Sequence, residues 1–311
     1  MWVRFPFCLE LRSPLHIGFL PNAAGTVLAP TRFYVPGKNM WAAVTESLAT
    51  RISERPRPQD FAAIGNDLRG SIAFSYVYLS DGQRIFTPSY EHGELKWADL
   101  PDSEFRAMFA DSQLSTQISA NGSAKDGTLH EIEFVRQYPA CPWSSAKRTL
   151  LCGVGWALAD GVIANGVLRL EHRAPVLSLN HGRVPLFEAL TLGGERNYGF
   201  GRVMSISIPE ILLNPLLQLW PVEPGIRARL DSPLLGHAPY DPDLAFKGDV
   251  EMIAAREYRV GFGKSYRGPG SAISNAGYFF APGTVLPMEA LDVSFDAFGR
   301  ITVYPESSSE K

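Results

Sequence analysis

The stretch TLGGERNYGFGRV, residues 191–203, concentrates residue types that contact nucleic acids. Glycines let another backbone come close, arginines bind phosphates through paired hydrogen bonds, and aromatic rings stack on unpaired bases. The same residues also suit a tight structural turn, so the stretch alone leaves both interpretations open. We name residues 193–202 the glycine loop. Its candidate contacts are Gly193, Gly194, Arg196, Tyr198, Gly199, Phe200, Gly201 and Arg202.

The surroundings of the glycine loop argue against a nucleotide cofactor. No GK[ST] sequence closes it, as a P-loop requires. The apolar run 184–192 before it predicts a short helix with Pro185 in its first turn, and residues 201–211 after it predict a strand. Dinucleotide-binding loops have the reverse order, which brings a helix N-terminus to the pyrophosphate. We therefore expect no cofactor.

The segment REYRVGFGKSYR, residues 256–267, combines positive charge with aromatic rings. Its basic residues are Arg256, Arg259, Lys264 and Arg267, and three rings are interleaved with them. This combination fits a groove for single-stranded RNA, which contacts both phosphates and bases. The alternative is an edge strand whose charges prevent aggregation.

The first helix is predicted to begin at Asn39, a suitable N-cap, because Met40, Val44 and Leu48 recur at helical spacing. Lys38 directly precedes it, where backbone N–H groups and the helix dipole favour an anion. Lys38 is thus either a further RNA contact or a plain surface lysine.

The composition is that of an ordinary globular protein. The 311 residues are 45% hydrophobic and 20% charged with a net charge of −3, so a basic face must be local. Cys8, Cys141 and Cys152 lie far apart without a CxxC pair, which predicts buried thiols rather than disulfides or a zinc site. The sequence shows neither a signal peptide nor a membrane-length apolar run, so we expect a cytoplasmic protein with no membrane partner.

Periodicity indicates an α+β fold. Alternating apolar residues predict a strand over residues 3–11. Further elements are predicted as strands within 71–90, 129–139, 150–159 and 161–174 and as a short helix near 102–110. Two successive strand-helix-strand units indicate a ferredoxin-like, RRM-like βαββαβ domain over residues 1–210.

A proline-rich stretch, residues 209–225, marks a domain boundary. Residues 211–311 predict short strands and little helix, with a turn at Phe298-Gly299 between the last two strands. We therefore expect a second, smaller domain that is mostly β or a degenerate RRM-like unit.

Four segments occur in an order that resembles the CRISPR-associated RAMP superfamily: SPLHIG (13–18), YVPGKNMWAAV (34–44), ISANGSAKDGTLHEIEFV (118–135) and LGGERNYGFGRV (192–203). The resemblance covers the motifs of residues 1–208 and implies an RRM-like, RNA-binding fold. It implies that the glycine loop is the family's G-loop. It also implies that residues from about 112 to 130 form the arm inserted in type III effector subunits.

About 110 residues follow Gly201, and their segment GYFFAPGTVLP (277–287) resembles a strand motif of a second RRM-like domain. Processing endonucleases and backbone subunits of this superfamily have the G-loop near the C-terminus. The resemblance therefore implies a non-catalytic antiviral-defence subunit that holds the 5′ handle of the guide RNA. Its implied partners are guide RNA and, within the ribonucleoprotein complex, a backbone RAMP subunit and the large subunit.

The resemblance leaves two catalytic alternatives. Superfamily nucleases can use histidine as a general base, and His16 or His181 is placed to approach the glycine loop; His16 is otherwise structural. Asp126, in the arm, would cut target RNA with a metal if the chain were a backbone subunit, although a turn aspartate fits it better. HxxxH, HExxH and paired-carboxylate motifs are missing from the sequence, so we expect no resident metal.

Overall fold

The computed structural model describes residues 1–18, 27–140, 147–172, 174–179, 182–230, 233–254, 256–257, 272–273, 276–286 and 291–304. Within these ranges the α-helices are α1 (Gly37–Ile52), α2 (Pro58–Ser71), α3 (Asp102–Phe109) and α4 (Glu210–Gln218). Helix α3 confirms the short helix predicted near 102–110.

The strands that precede α4 are β1 (Trp2–Leu11), β2 (Leu28–Ala29), β3 (Tyr34–Val35), β4 (Ile72–Phe74), β5 (Val77–Ser80), β6 (Pro88–Glu91), β7 (Glu94–Trp97), β8 (Leu100–Pro101), β9 (Ala110–Ser115), β10 (His130–Val135), β11 (Leu150–Leu158), β12 (Val162–Ile163), β13 (Gly166–Glu171), β14 (Ala174–Leu179), β15 (Gly182–Pro185), β16 (Leu190–Thr191) and β17 (Arg202–Ile206). The strands that follow α4 are β18 (Ala228–Leu230), β19 (Ala238–Pro239), β20 (Val250–Ile253), β21 (Arg256–Glu257), β22 (Ala272–Ile273), β23 (Gly277–Phe280), β24 (Leu291–Phe295) and β25 (Ile301–Tyr304).

The largest sheet has the strand order β16-β17-β1-β11-β5-β3, and β4 also pairs with β11. β1 lies antiparallel between β11 and β17, and β11 lies antiparallel to β4 and β5. If β1, β4 with β5, β11 and β17 are the four strands of the predicted motif, their order is fourth, first, third, second, as in a split βαβ unit. The α+β prediction is confirmed.

Glycines in β11 explain how closely β1 packs against it. Gly153 and Gly155 lie directly opposite Phe7 and Phe5. A Cβ atom would lie 2.7 Å from the Phe7 ring at Gly153 and 2.3 Å from the Phe5 ring at Gly155. The rings therefore fold over the missing side chains, so these glycines serve strand packing and not a turn.

Helix α1 begins at Gly37, two residues before the predicted N-cap Asn39. A Cβ atom on Gly37 would lie 2.5 Å from the carbonyl oxygens of Phe298 and Phe74. The glycine thus lets the Phe298-Gly299 turn dock against the start of the helix. The predicted apolar stripe is buried: Met40, Val44 and Leu48.

The predicted helix over residues 184–192 is wrong. Strand β15 pairs with β14, and a turn over 186–189 leads into β16. The ring of Phe187, in this turn, lies 4.9 Å from the ring of Phe7 and 6.0 Å from that of Phe5, so it covers the sheet in place of a helix. A short apolar run has no unambiguous period, which is why the sequence favoured the wrong element.

Helix α4 and the residues after it pack the second part of the chain on the first. The Arg4 guanidinium donates to the carbonyl oxygens of Leu217 and Trp220 at 2.9 and 2.8 Å, at the end of the helix. The ring of Trp220 lies 6.4 Å from that of Trp156 in β11. Buried hydrophobic residues of both parts form one continuous cluster. The domain division at residue 210 stays a prediction.

The segment predicted as an arm extends from β9 and β10. These strands pair antiparallel over six residues each, from Val135 with Ala110 to His130 with Ser115. Residues 116–129 continue beyond them as a mostly exposed hairpin.

Candidate nucleic-acid interface

The glycine loop connects β16 to β17 at the edge of the largest sheet. Because β16 stands where a helix was predicted, the loop joins two strands and contains one 3-10 turn at Arg196–Tyr198. Neither flanking element is a helix, so the loop lacks the geometry of a dinucleotide-binding turn.

Two glycines of the loop are required by close backbone contacts. Gly193 has φ +74°, and a Cβ atom there would lie 2.2 Å from the carbonyl oxygen of His16. Gly201 has φ +85°, and its Cβ atom would lie 1.9 Å from the carbonyl oxygen of Leu192. Only glycine combines the left-handed backbone with this closeness.

Hydrogen bonds fasten the glycine loop to residues 13–18, the segment after β1, which we name the β1 loop. The N–H of Gly194 donates to the carbonyl of His16 at 2.9 Å, and that of Gly201 donates to the carbonyl of Pro14 at 2.7 Å. These N–H groups hold the loop together and do not face a ligand.

Arg196 closes the glycine loop instead of projecting from it. Its guanidinium donates to the carbonyl oxygens of Thr191 at 3.0 Å and Gly193 at 3.2 Å, and it pairs with the Glu46 carboxylate of α1. A phosphate could recruit this side chain only by breaking those bonds. These three contacts, which we name the loop staple, hold the glycine loop closed. The sequence did not indicate this role for Arg196.

The two rings of the glycine loop have different surroundings. Phe200 is 5% exposed, and its ring lies 5.3 Å from that of Phe134 at the base of the arm. Its ring packs the arm against the loop, and the expectation that Phe200 stacks on a base stays a prediction. Tyr198 is 49% exposed and leaves its ring open to stacking.

The other predicted site residues belong to several parts of the chain. Lys38 lies in the first turn of α1, and Arg202 is exposed at the start of β17. Asp126 lies on an exposed turn of the arm. Outside the described residues lie His181, Arg259, Lys264, Arg267 and the side chain of Arg256, whose backbone belongs to β21.

His16 lies in the β1 loop, next to the glycine loop, and is 5% exposed. Its Nδ1 donates to the carbonyl of Glu133 at 2.7 Å, since a carbonyl oxygen only accepts. In the neutral ring this leaves Nε2 without a proton. Within the described ranges, no three His, Cys, Asp or Glu side chains lie together so that they could hold a metal ion.

A cavity of about 660 Å³ opens where the glycine loop, the start of α1 and the second part of the chain meet. Gly193 and Gly194 form one edge of it. The charged and aromatic residues that line it are Arg32, Lys38, Arg300, Tyr76, His237, Phe279 and Phe298. None of the described lining residues is an aspartate or a glutamate.

The sequence singled out Lys38 among these residues but missed Arg32, Arg300 and Tyr76. Arg300 follows the Phe298-Gly299 turn, and its guanidinium lies 2.6 Å from the Asp296 carboxylate. The turn was predictable, whereas its docking beside α1 was not. Arg32 stands between Thr31 and Phe33 in the sequence, and no local pattern marks it as a functional residue.

His237 belongs to a buried polar network that forms part of the cavity wall. Burial disfavours the imidazolium and lowers the pKa of His237, although the bond to Glu251 partly offsets this effect. The neutral ring donates from Nε2 to the Glu251 carboxylate. Its Nδ1 accepts from the Tyr76 hydroxyl at 2.6 Å. The network therefore fixes one tautomer of His237.

Glu251 is the anion of this network. Burial opposes its ionisation, but the hydrogen bond from His237, the charge of that ring when it is protonated and the charge of Arg32 outweigh burial and lower the pKa of Glu251 to about 2. Arg32 Nη2 lies 2.5 Å from Glu251 Oε2, and the Tyr34 hydroxyl donates to Oε1 at 3.1 Å. The ion pair joins strand β20 to the first part of the chain.

Among the described residues, we find no helix both long and apolar enough to span a membrane.

Comparisons with known proteins give a likeness of structure only. No family model matches the sequence, and no curated protein matches it. A chain in a cryo-EM structure of the type III-B Cmr-beta bound to cognate target RNA is similar at 10% identity and a TM-score of 0.47, over 90% of this chain and 86% of that one.

Two further solved chains are similar at 10% identity. One is from type III-B Cmr-beta with cognate target RNA and AMPPnP, with a TM-score of 0.49 over 90% of this chain and 85% of that one. The other is from the apo state, with a TM-score of 0.38 over 67% and 98%. At this identity and with TM-scores below 0.5, these likenesses assign neither family nor function.

Proposed function

We propose that this protein is a non-catalytic guide-RNA-binding subunit of a type III-like CRISPR effector complex and that it holds the 5′ handle of the RNA in the cavity beside the glycine loop. The observation that carries the proposal is the convergence of three cations, four rings and three glycines on one cavity, with no carboxylate among the described residues that line it. The order of the four motifs in the chain supports the same assignment.

The cavity's charges suit a phosphate backbone. Lys38 lies in the first turn of α1, so its ammonium adds to the positive end of the helix dipole. Arg300 and Arg32 stand on other walls and each keep one carboxylate partner, Asp296 and Glu251. Phosphates would approach Lys38 and Arg300 from the cavity and supply most of the affinity.

The rings suit unpaired bases. Phe279 lines the cavity and is half-buried, and Tyr198 stands exposed on the adjoining loop, whereas Tyr76 and Phe298 are buried in the cavity wall. Stacking on such rings contributes about 1–3 kcal/mol per base and tolerates any sequence. A volume of about 660 Å³ lies within the range of sites that enclose small ligands, so it admits nucleotides of a single strand rather than a duplex.

The basic segment 256–267 follows residues of this surface in the sequence. Ile253 and Ala254 line the cavity, and Arg256 follows two residues later. Arg259 and Lys264 come next in the sequence, outside the described residues. The proposal therefore assigns the segment to the same RNA.

A salt titration of RNA binding tests the proposal. Each lost phosphate contact lowers the slope of log K against log salt by about 0.7 for a single strand, so Lys38→Ala with Arg300→Ala should lower it by about 1.4. Arg183→Ala is the matched control, because Arg183 is an exposed arginine that does not line the cavity. An unchanged slope in the double variant, or no RNA binding by the unaltered protein, would refute the proposal.

The 5′-handle assignment needs its own test. RNA that copurifies with the protein from its native host should share one 5′ sequence, and backbone and large effector subunits should accompany it. RNAs with many different 5′ ends would refute handle binding and would indicate a general RNA-binding subunit instead.

A second candidate, a metal-independent guide-processing endoribonuclease, is favoured by one observation. The bond from His16 Nδ1 to the Glu133 carbonyl leaves Nε2 as a base near the glycine loop. Precursor repeat RNA incubated with the protein and a chelator should remain intact if the leading proposal holds. Specific cleavage that His16→Ala abolishes would establish the enzyme instead.

A further inference from the structure

Glu251 does not line the cavity, yet its contacts reach the glycine loop. The first step runs through Arg32, whose Nη2 lies 2.5 Å from Glu251. The same guanidinium donates from Nη1 to the carbonyl of Gly18 at 3.0 Å, and the backbone N–H of Arg32 donates to the carbonyl of Ile17 at 2.8 Å. Arg32 thus ties the end of the β1 loop to strand β20.

The second step runs from the β1 loop to the glycine loop. Gly194 donates to the carbonyl of His16 at 2.9 Å, and Gly193 lies so close to that carbonyl that a Cβ atom would meet it at 2.2 Å. The N–H of Ile17 donates to the Thr31 hydroxyl at 2.9 Å, beside Arg32. A displacement of residues 16–18 would therefore displace the edge of the cavity.

We propose that Glu251 is a positioning residue: through Arg32 it holds the β1 loop, and with it the glycine loop, in the RNA-binding arrangement, so that the site is complete only when the second part of the chain is docked. This inference rests on the proposed RNA-binding function. It assigns to the second part of the chain a role beyond direct contact with RNA.

Electrostatics and positioning predict opposite effects when the Glu251 charge is removed. Glu251→Gln leaves the cationic Arg32 without its anion, and Arg32 lines the cavity, so charge alone would strengthen the binding of an RNA phosphate. Positioning predicts weaker binding despite the added positive charge. The sign of the change therefore separates the two explanations.

The matched control is Asp249→Asn. Asp249 precedes β20, is exposed, and does not line the cavity, so the substitution makes the same charge change near Glu251 without touching Arg32. Fluorescence anisotropy with a labelled single-stranded repeat RNA should show affinity at least about fivefold lower for Glu251→Gln, the lower end of couplings between protein sites. Asp249→Asn should bind as tightly as the unaltered protein or slightly more tightly.

Hydrogen exchange tests the positioning without RNA. Peptides that cover residues 13–18 and 192–201 should exchange faster in Glu251→Gln than in Asp249→Asn, because the amides of Ile17 and Gly194 lose support. Equal exchange in the two variants, or RNA affinity that rises in Glu251→Gln, would overturn the inference while leaving RNA binding intact. Absence of RNA binding in the unaltered protein would overturn the proposed function instead.

Tyr34→Phe is a milder variant of the same network, and it serves to distinguish loss of positioning from a folding defect in Glu251→Gln. It removes the hydroxyl that donates to Glu251 at 3.1 Å and accepts from Arg32 Nε at 3.3 Å, and it keeps the ion pair. We expect a smaller loss of RNA affinity in the same direction and a thermal midpoint closer to that of the unaltered protein than the midpoint of Glu251→Gln. RNA affinity equal to that of the unaltered protein in both variants would count against the positioning role.

Discussion

Substitution of Gly201 by alanine should destabilise the protein far more than the same substitution at Gly199. Both glycines belong to the glycine loop and have nearly equal left-handed angles, φ +85° and +81°. Their surroundings differ completely. A Cβ atom at Gly201 would lie 1.9 Å from the Leu192 carbonyl oxygen, whereas nothing lies within 4 Å of one at Gly199.

The expected magnitudes follow from these surroundings. The left-handed backbone costs an alanine about 1–2 kcal/mol at either position. At Gly201 the backbone must also shift away from Leu192. That shift breaks the bond between these two residues, at 2.8 Å, and the one from Gly201 to Pro14, at 2.7 Å. Each bond contributes about 0.5–1.5 kcal/mol, so we expect a loss of about 2–5 kcal/mol at Gly201 and about 1–2 kcal/mol at Gly199.

Urea unfolding followed by circular dichroism measures the free energy of unfolding of both variants, and one-dimensional NMR verifies that each folds. Because both alanines pay the same backbone cost, the difference between the variants isolates the contact with Leu192 and the two hydrogen bonds. If Gly201→Ala is as stable as Gly199→Ala, the close approach described for the loop does not exist in solution.

Other consequences of the buried network and the loop staple are measurable. The free energy of unfolding should fall below about pH 6.5, because the unfolded chain protonates His237 and the folded protein resists it, with a slope of up to about 1.4 kcal/mol per pH unit that His237→Gln removes. Below about pH 4 the unfolded chain also protonates Glu251 before the folded protein does, so urea titrations should show a further loss toward pH 2. Glu46→Gln should cost less than about 1 kcal/mol in thermal unfolding, since its pair with Arg196 is partly exposed. Arg196→Ala, which also loses two carbonyl partners, should cost about 1–3 kcal/mol, and equal effects of the two would contradict the staple.

Periodicity predicted the elements that carry long, one-sided patterns. Strand β1 and the apolar stripe of α1 were readable because each repeats its period several times. The run 184–192 was too short for its period to decide, and Phe187 proved to be a sheet-covering residue in a turn. The same limit made the glycine loop look like a helix-to-strand connection.

Composition located the glycine loop but could not assign its side chains. Arginine in general can bind a phosphate, and phenylalanine in general can stack on a base, so the composition suggested these roles for Arg196 and Phe200. The fold instead supplies nearer partners, Glu46 and Phe134. These partners are distant in the sequence, so no local pattern reveals them.

The cavity depends on a contact between distant segments, and two glycines encode that contact. Gly37 admits the carbonyl of Phe298 at the start of α1, and a Cβ atom on Gly299 would lie 2.9 Å from the carbonyl of Phe74. Each glycine looked like a turn signal in the sequence, yet the neighbour that excludes a side chain comes from the other part of the chain. Lys38 and Arg300 reach one cavity because of this docking. A side chain at Gly37 would therefore separate the two cations as well as the two surfaces, so loss of docking and loss of the proposed RNA site should occur together.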